Sequence, residues 1–171
     1  MMFIGEILMG ETKKFFKGFV FATRGIFYAI SHERNMRFHI TLMAYMYTYL
    51  LAFDFFEVTR TQFAIIFVTN ALVLSAEMIN TAIERTVDLA CSSPNSLAKH
   101  AKDVAAGAVW VSAIFSLIVA AAILWQPSAF SKIYEYYSSR IWLLVILAIS
   151  FVVSGVFIFA FPKIFKKSGE K

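Results

Sequence analysis

The chain is 171 residues long and 60% hydrophobic, with a mean hydropathy of +0.70 and a formal net charge of +5. No soluble domain of that length could bury so much apolar side chain, so the composition points to an all-α integral membrane protein. The single cysteine, Cys91, excludes an intrachain disulfide and a thiolate metal cluster, and no nucleic-acid-binding module stands behind the basic balance.

The first predicted element lies in "ETKKFFKGFVFATRGIFYAISHERNMR". Lys13, Lys14, Lys17 and Arg24 interleave there with Phe15, Phe16, Phe19 and Phe21, the pattern of an amphipathic helix lying in the membrane interface, over about residues 12–32. Four apolar runs follow, at 38–53, 63–80, 104–125 and 141–161, against the requirement of about 20 residues for a span. The first run is short and draws on its flanks. The predicted loops are "DFFEVTRTQ", "CSSPNSLAKHAKD" and "QPSAFSKIYEYYSSR", the last carrying Tyr134, Tyr136 and Tyr137 as an aromatic belt. Residues 1–130 then form one membrane domain, and 131–171 add a further span and the basic tail "KIFKKSGEK". Only Arg60, Lys132 and Arg140 fall on one side of this arrangement, with the other basic residues opposite. By the positive-inside rule the protein is a multi-pass membrane protein with both termini cytoplasmic.

The second run ends in "SAEMINTAIERTVDLA". A helix turns about 100° and rises about 1.5 Å per residue, so with Glu77 at zero, Asn80 falls near 300°, Glu84 near 340° and Asp88 near 20°. These four form one acidic stripe at the end of a span. An ionised acid deep in a bilayer costs about 2.5–3.5 kcal/mol on the insertion scale, so Glu77, inside the apolar register, needs a partner and a task. Glu84, about 10 Å further along the axis, sits at water level, where a hydrated cation and phosphates can reach it. "SHERNMR" brings Glu33, Asn35 and Arg37 to the same aqueous boundary, and "AKDVAAGAV" brings Lys102 and Asp103, followed by small residues suited to close helix packing. Carboxylates for a hard cation, a lysine for phosphate and an interfacial acid together fit phosphoryl transfer to a lipid. With no Walker or Gly-rich loop in the sequence, a nucleotide site has to be built on helix ends.

Through "ERNMR", "EMINTAIERTVD" and "AKDVAAGAV", in that order, the chain resembles the small prokaryotic diacylglycerol kinase family, which includes the undecaprenol kinases. The resemblance implies a homotrimer of three-span protomers, with active sites between subunits at the cytoplasmic face. It makes Glu77 the general base that takes the proton of a lipid hydroxyl, and Glu33 and Glu84 the ligands of Mg²⁺ bridging the phosphates of ATP, with GTP as an alternative donor. Lys14, Lys102 and Asp103 would contact the nucleotide, alongside the two glutamates. Asn80 and Asp88 would support the catalytic site. The motifs are closer to the undecaprenol kinase branch, so undecaprenol is the expected lipid and diacylglycerol the alternative. The helix beyond residue 140 is an addition to the family pattern, read either as peripheral support or as a gate or docking element. A rival reading from another class is a small proton- or ion-conducting protein with Glu77 and Asn70 along its path. His32, His39 and His100 lack metal-ligand spacing and read as interfacial hydrogen-bonding groups. Asn70, on the Glu77 face, reads as a helix–helix hydrogen bond.

Overall fold

The computed structural model describes residues 2–91 and 93–160, with side chains from residue 12 onward. The basic tail lies outside the described residues. The elements are α1 (Met2–His32), α2 (Arg34–Leu51), α3 (Arg60–Ala90), α4 (Ser96–Leu124), α5 (Pro127–Ser138) and α6 (Ile141–Phe159). Among the described residues there is no strand. The protein is an all-α integral membrane protein, and α3, α4 and α6 are each long and apolar enough to cross a bilayer.

Local sequence explains the helix ends. Thr59 and Gln62 form a reciprocal capping box that starts α3. Asn95 accepts from the backbone N–H groups of Leu97 and Ala98 at 2.8 and 3.3 Å, so the turn expected at Ser93, Pro94 and Asn95 is also the N-cap of α4. Pro127 opens α5, where its fixed φ and missing N–H cost nothing. Two expectations change here. Helix α1 begins ten residues before residue 12, and the outer segment expected as a loop with a tyrosine belt is the 12-residue helix α5. Tyr136 sets its ring edge against Phe53 and Phe55, each at 5.4 Å, so it packs an aromatic cluster instead of only lining the interface.

The short first run forms α2, shifted towards the N-terminus relative to 38–53. Its 18 residues reach about 27 Å but include Arg34, Arg37, His39, Thr41 and Thr48, and α2 falls short of the length and apolarity that mark the other three. It sits between α3 and α6, while α3 and α4 make the most extensive pairing. Glu33 is the break between α1 and α2. Its extended backbone (φ −101°, ψ 118°) stops one helix and starts the next, and its side chain makes no capping bond.

Candidate active site

The buried residues of α3 are Ile66, Asn70, Val73, Glu77, Asn80 and Thr81. Steps of three and four place them on one face. Four of the six are polar, so this stripe carries more than packing. Glu77 is only 2% exposed. Further along the same face, Glu84 is half-buried and Asp88 is exposed, so the acidic stripe climbs from interior to water as its spacing predicts.

The upper part of the stripe is internally paired. The Asn80 amide Nδ2 donates to Glu84 Oε1 at 3.0 Å. Lys102, from the start of α4, donates through Nζ to Asp88 Oδ1, which ties the two helix ends across their connecting loop. Arg85, next to Glu84, approaches Glu33 Oε1 at 3.4 Å and lies 5.7 Å from the centre of the Tyr28 ring. Glu33 is thereby brought to the turn of α3 that carries Glu84. Asp103 and Lys14 are exposed, on α4 and α1.

The lower part is unsatisfied. Glu77 Oε1 and Asn80 Oδ1 are buried without a hydrogen-bond partner. The nearest cation-capable group to Glu77 is His39 on α2, with Nε2 3.4 Å from Oε1 but not aligned as a hydrogen bond. Two acceptors one helical turn apart, neither of them hydrogen-bonded, fit a ligand that brings its own hydroxyl. Sequence reasoning missed His39. Its spacing to other histidines was uninformative, and the pairing signal is its place on the face of α2 that meets α3. Asn70 behaves as expected of a helix–helix tie, donating to Tyr47 Oη at 3.0 Å and accepting from Ser116 Oγ at 3.1 Å. Arg37 departs from expectation. It is only 2% exposed, with its side chain turned into the protein.

Among the described residues no three His, Cys, Asp or Glu side chains cluster into a metal cage. The carboxylates of Glu33 and Glu84 are hard oxygen donors at one helix boundary. That set fits a divalent cation sharing nucleotide phosphates, which takes one or two protein carboxylates.

A buried carboxyl group beneath a charged rim, in a membrane-embedded helix pair, is the arrangement expected of a lipid kinase. Residues 20–124 match the prokaryotic diacylglycerol kinase family, well over half of the sequence, and the chain belongs to that family. It is 42% identical over 109 residues to the undecaprenol kinase of Bacillus subtilis (strain 168), covering 64% of this chain and 86% of that protein. It is also 37% identical over 110 residues to the diacylglycerol kinase of Synechocystis sp., covering 64% of this chain and 61% of that protein. No solved structure matches the chain. Helix α6 lies beyond the matched segment.

Proposed function

We propose that the protein phosphorylates undecaprenol to undecaprenyl phosphate at the cytoplasmic membrane face, with ATP as donor and Mg²⁺ as the divalent cation. The observation that carries this reading is the unpartnered Glu77 carboxylate oxygen beside the unpartnered Asn80 carbonyl, both buried. A buried acceptor without a donor costs about 1–3 kcal/mol, and a lipid hydroxyl entering from the bilayer relieves that cost. The choice of undecaprenol over diacylglycerol rests on the higher identity and fuller coverage of the Bacillus subtilis protein.

On this reading Glu77 Oε1 takes the hydroxyl proton as the lipid oxygen attacks the γ-phosphorus and the bond to the departing diphosphate breaks. Asn80 holds Glu84 through its amide N–H group. Glu33 and Glu84 hold the cation, which when bound neutralises the phosphate oxygens. Lys102, fixed by Asp88, lies where it can exchange that carboxylate for a phosphate, and Asp103 and Lys14 add nucleotide contacts. The active assembly is a homotrimer, α2 is a short fourth span, and both termini face the cytoplasm.

The test is transfer of labelled γ-phosphate from ATP–Mg²⁺ by purified protein in mixed micelles, with undecaprenol and diacylglycerol offered separately. Labelled undecaprenyl phosphate, lost in Glu77→Gln, is the expected result. Stronger labelling of diacylglycerol reassigns the lipid, and no label on either overturns the proposal, leaving ion flux in liposomes as the next assay.

A further inference from the structure

Arg37 is a buried cation that, among the described residues, makes no salt bridge, although the Glu33 carboxylate one turn away acts on its charge. Its guanidinium Nη1 donates to the carbonyl oxygens of Ile30 at 2.8 Å and Ser31 at 3.0 Å, and its Nε donates to the carbonyl of Ile158 at 3.1 Å. Ile30 and Ser31 belong to the last turn of α1, and Ile158 to the last turn of α6. Carbonyls at a helix C-terminus lack intrahelical donors and carry partial negative charge. One side chain therefore caps two helix ends at once, and the two dipoles supply the counter-charge that a buried guanidinium needs. A second contact repeats the arrangement: the Arg34 guanidinium lies 6.0 Å from the centre of the Phe159 ring. Lower on the same seam, Tyr45 Oη donates to Ser150 Oγ at 2.9 Å and lies 3.0 Å from Ser154 Oγ, and Tyr49 Oη meets Tyr137 Oη at 2.7 Å.

We infer that α6, the helix beyond the family-matched segment, is a brace for the α1–α2 elbow, acting through Arg37 to hold Glu33 in place for the nucleotide-bound cation. The elbow is where the brace has leverage. Glu33 is a single non-helical residue between two helices, and Arg37 fixes the carbonyls two and three residues before it. The Arg37 side chain makes no hydrogen bond to lipid-, nucleotide- or cation-binding groups, and Arg37 meets Glu33 through its backbone N–H, 3.4 Å from the Glu33 carbonyl, so it is a positioning residue. The link to the cation rests on the role proposed for Glu33; the brace itself does not.

The test uses the full chain in micelles, with two variants. Arg37→Lys keeps the charge but not the fork of donors, and Ser150→Ala with Ser154→Ala loosens α6 while leaving Arg37 intact. Amide hydrogen exchange over residues 29–36 reads the brace without reference to activity, and separate KM values for ATP–Mg²⁺ and the lipid alcohol read its consequence. In Arg37→Lys, elbow exchange is expected to accelerate. KM for ATP–Mg²⁺ is expected to rise about tenfold, the scale of one lost charge-assisted hydrogen bond, with lipid KM within about twofold. The serine double variant should move both readouts in the same direction by less. Unchanged elbow exchange in a folded Arg37→Lys protein overturns the brace. A rise confined to lipid KM overturns the link to the cation and favours a gate for lipid entry. Faster elbow exchange with ATP affinity untouched sustains the brace and removes Glu33 from the cation site. Should Arg37→Lys fail to fold, the serine variant carries the same three outcomes.

Discussion

The α3–α4 pair and the α2–α6 pair solve the same problem in different ways. Lipid tails are as apolar as leucine, so helices in a bilayer associate through close packing and interhelical hydrogen bonds and gain little from the hydrophobic effect. The first pair packs most extensively, with Ala105 and Val109 of α4 buried, and its polar ties are Ser116 to Asn70 and Lys102 to Asp88. The second pair touches over less of its length and is joined by a guanidinium and, lower down, by the hydroxyls of Tyr45, Ser150 and Ser154. A pair held by packing tolerates the loss of one hydrogen bond. A pair held by hydrogen bonds is adjustable, and loosening α6 reaches the rest of the protein through the elbow that Arg37 ties to it.

Substitutions can break or sharpen that contrast. The largest effect belongs to the buried stripe of α3, where Glu77→Gln is expected to lower turnover by about 10²–10⁴-fold, the range of a lost general base. Normal micellar unfolding of the same variant would show that chemistry and not packing was removed. Next comes His39→Gln, which keeps size and polarity but cannot take up a proton. Turnover should fall by up to about 100-fold, the cost of a misplaced reacting group, and wild-type turnover would remove His39 from the site. Asn70→Leu strands Tyr47 and Ser116 and should cost about 1 kcal/mol of global stability in denaturant titration, since such intramembrane bonds average about 0.6 kcal/mol each. The smallest global effect is expected for Ser150→Ala with Ser154→Ala, under about 1 kcal/mol, with faster exchange limited to residues 141–159 and, more weakly, to the elbow at residues 29–36. A drop in global stability matching that of Asn70→Leu would erase the distinction between the two pairs.

The acidic stripe was legible because its spacing is a pure helical periodicity, and the model reproduces its gradient from buried Glu77 to exposed Asp88. The segments that became α3, α4 and α6 were legible because each is a long, uninterrupted apolar run. What escaped depended on partners distant in sequence. His39 and Arg37 look like boundary residues when α2 is considered alone, and only the positions of α3 and α6 turn them inward. Helix α5 escaped for a different reason. Its serines and tyrosines are weak helix formers, and the Pro127 start together with aromatic packing against Phe53 and Phe55 outweighs that preference. The roles of the eight site residues in binding and catalysis remain the proposal set out above, resting on geometry and family likeness.

The bond from Arg37 to Ile158 spans 121 residues of sequence. Ribosomes extend a chain by about 5–20 residues per second, so Arg37 waits roughly 6–24 s for this partner to be made. Tyr45 waits nearly as long for its serines. During that interval the nascent protein holds a guanidinium and a phenol on a helix face that has nothing yet to cover it. Helix α6, made long after α2, therefore decides when the elbow between α1 and α2 becomes rigid, and a chain interrupted before α6 carries an uncovered polar seam by which membrane quality control can recognise it as unfinished.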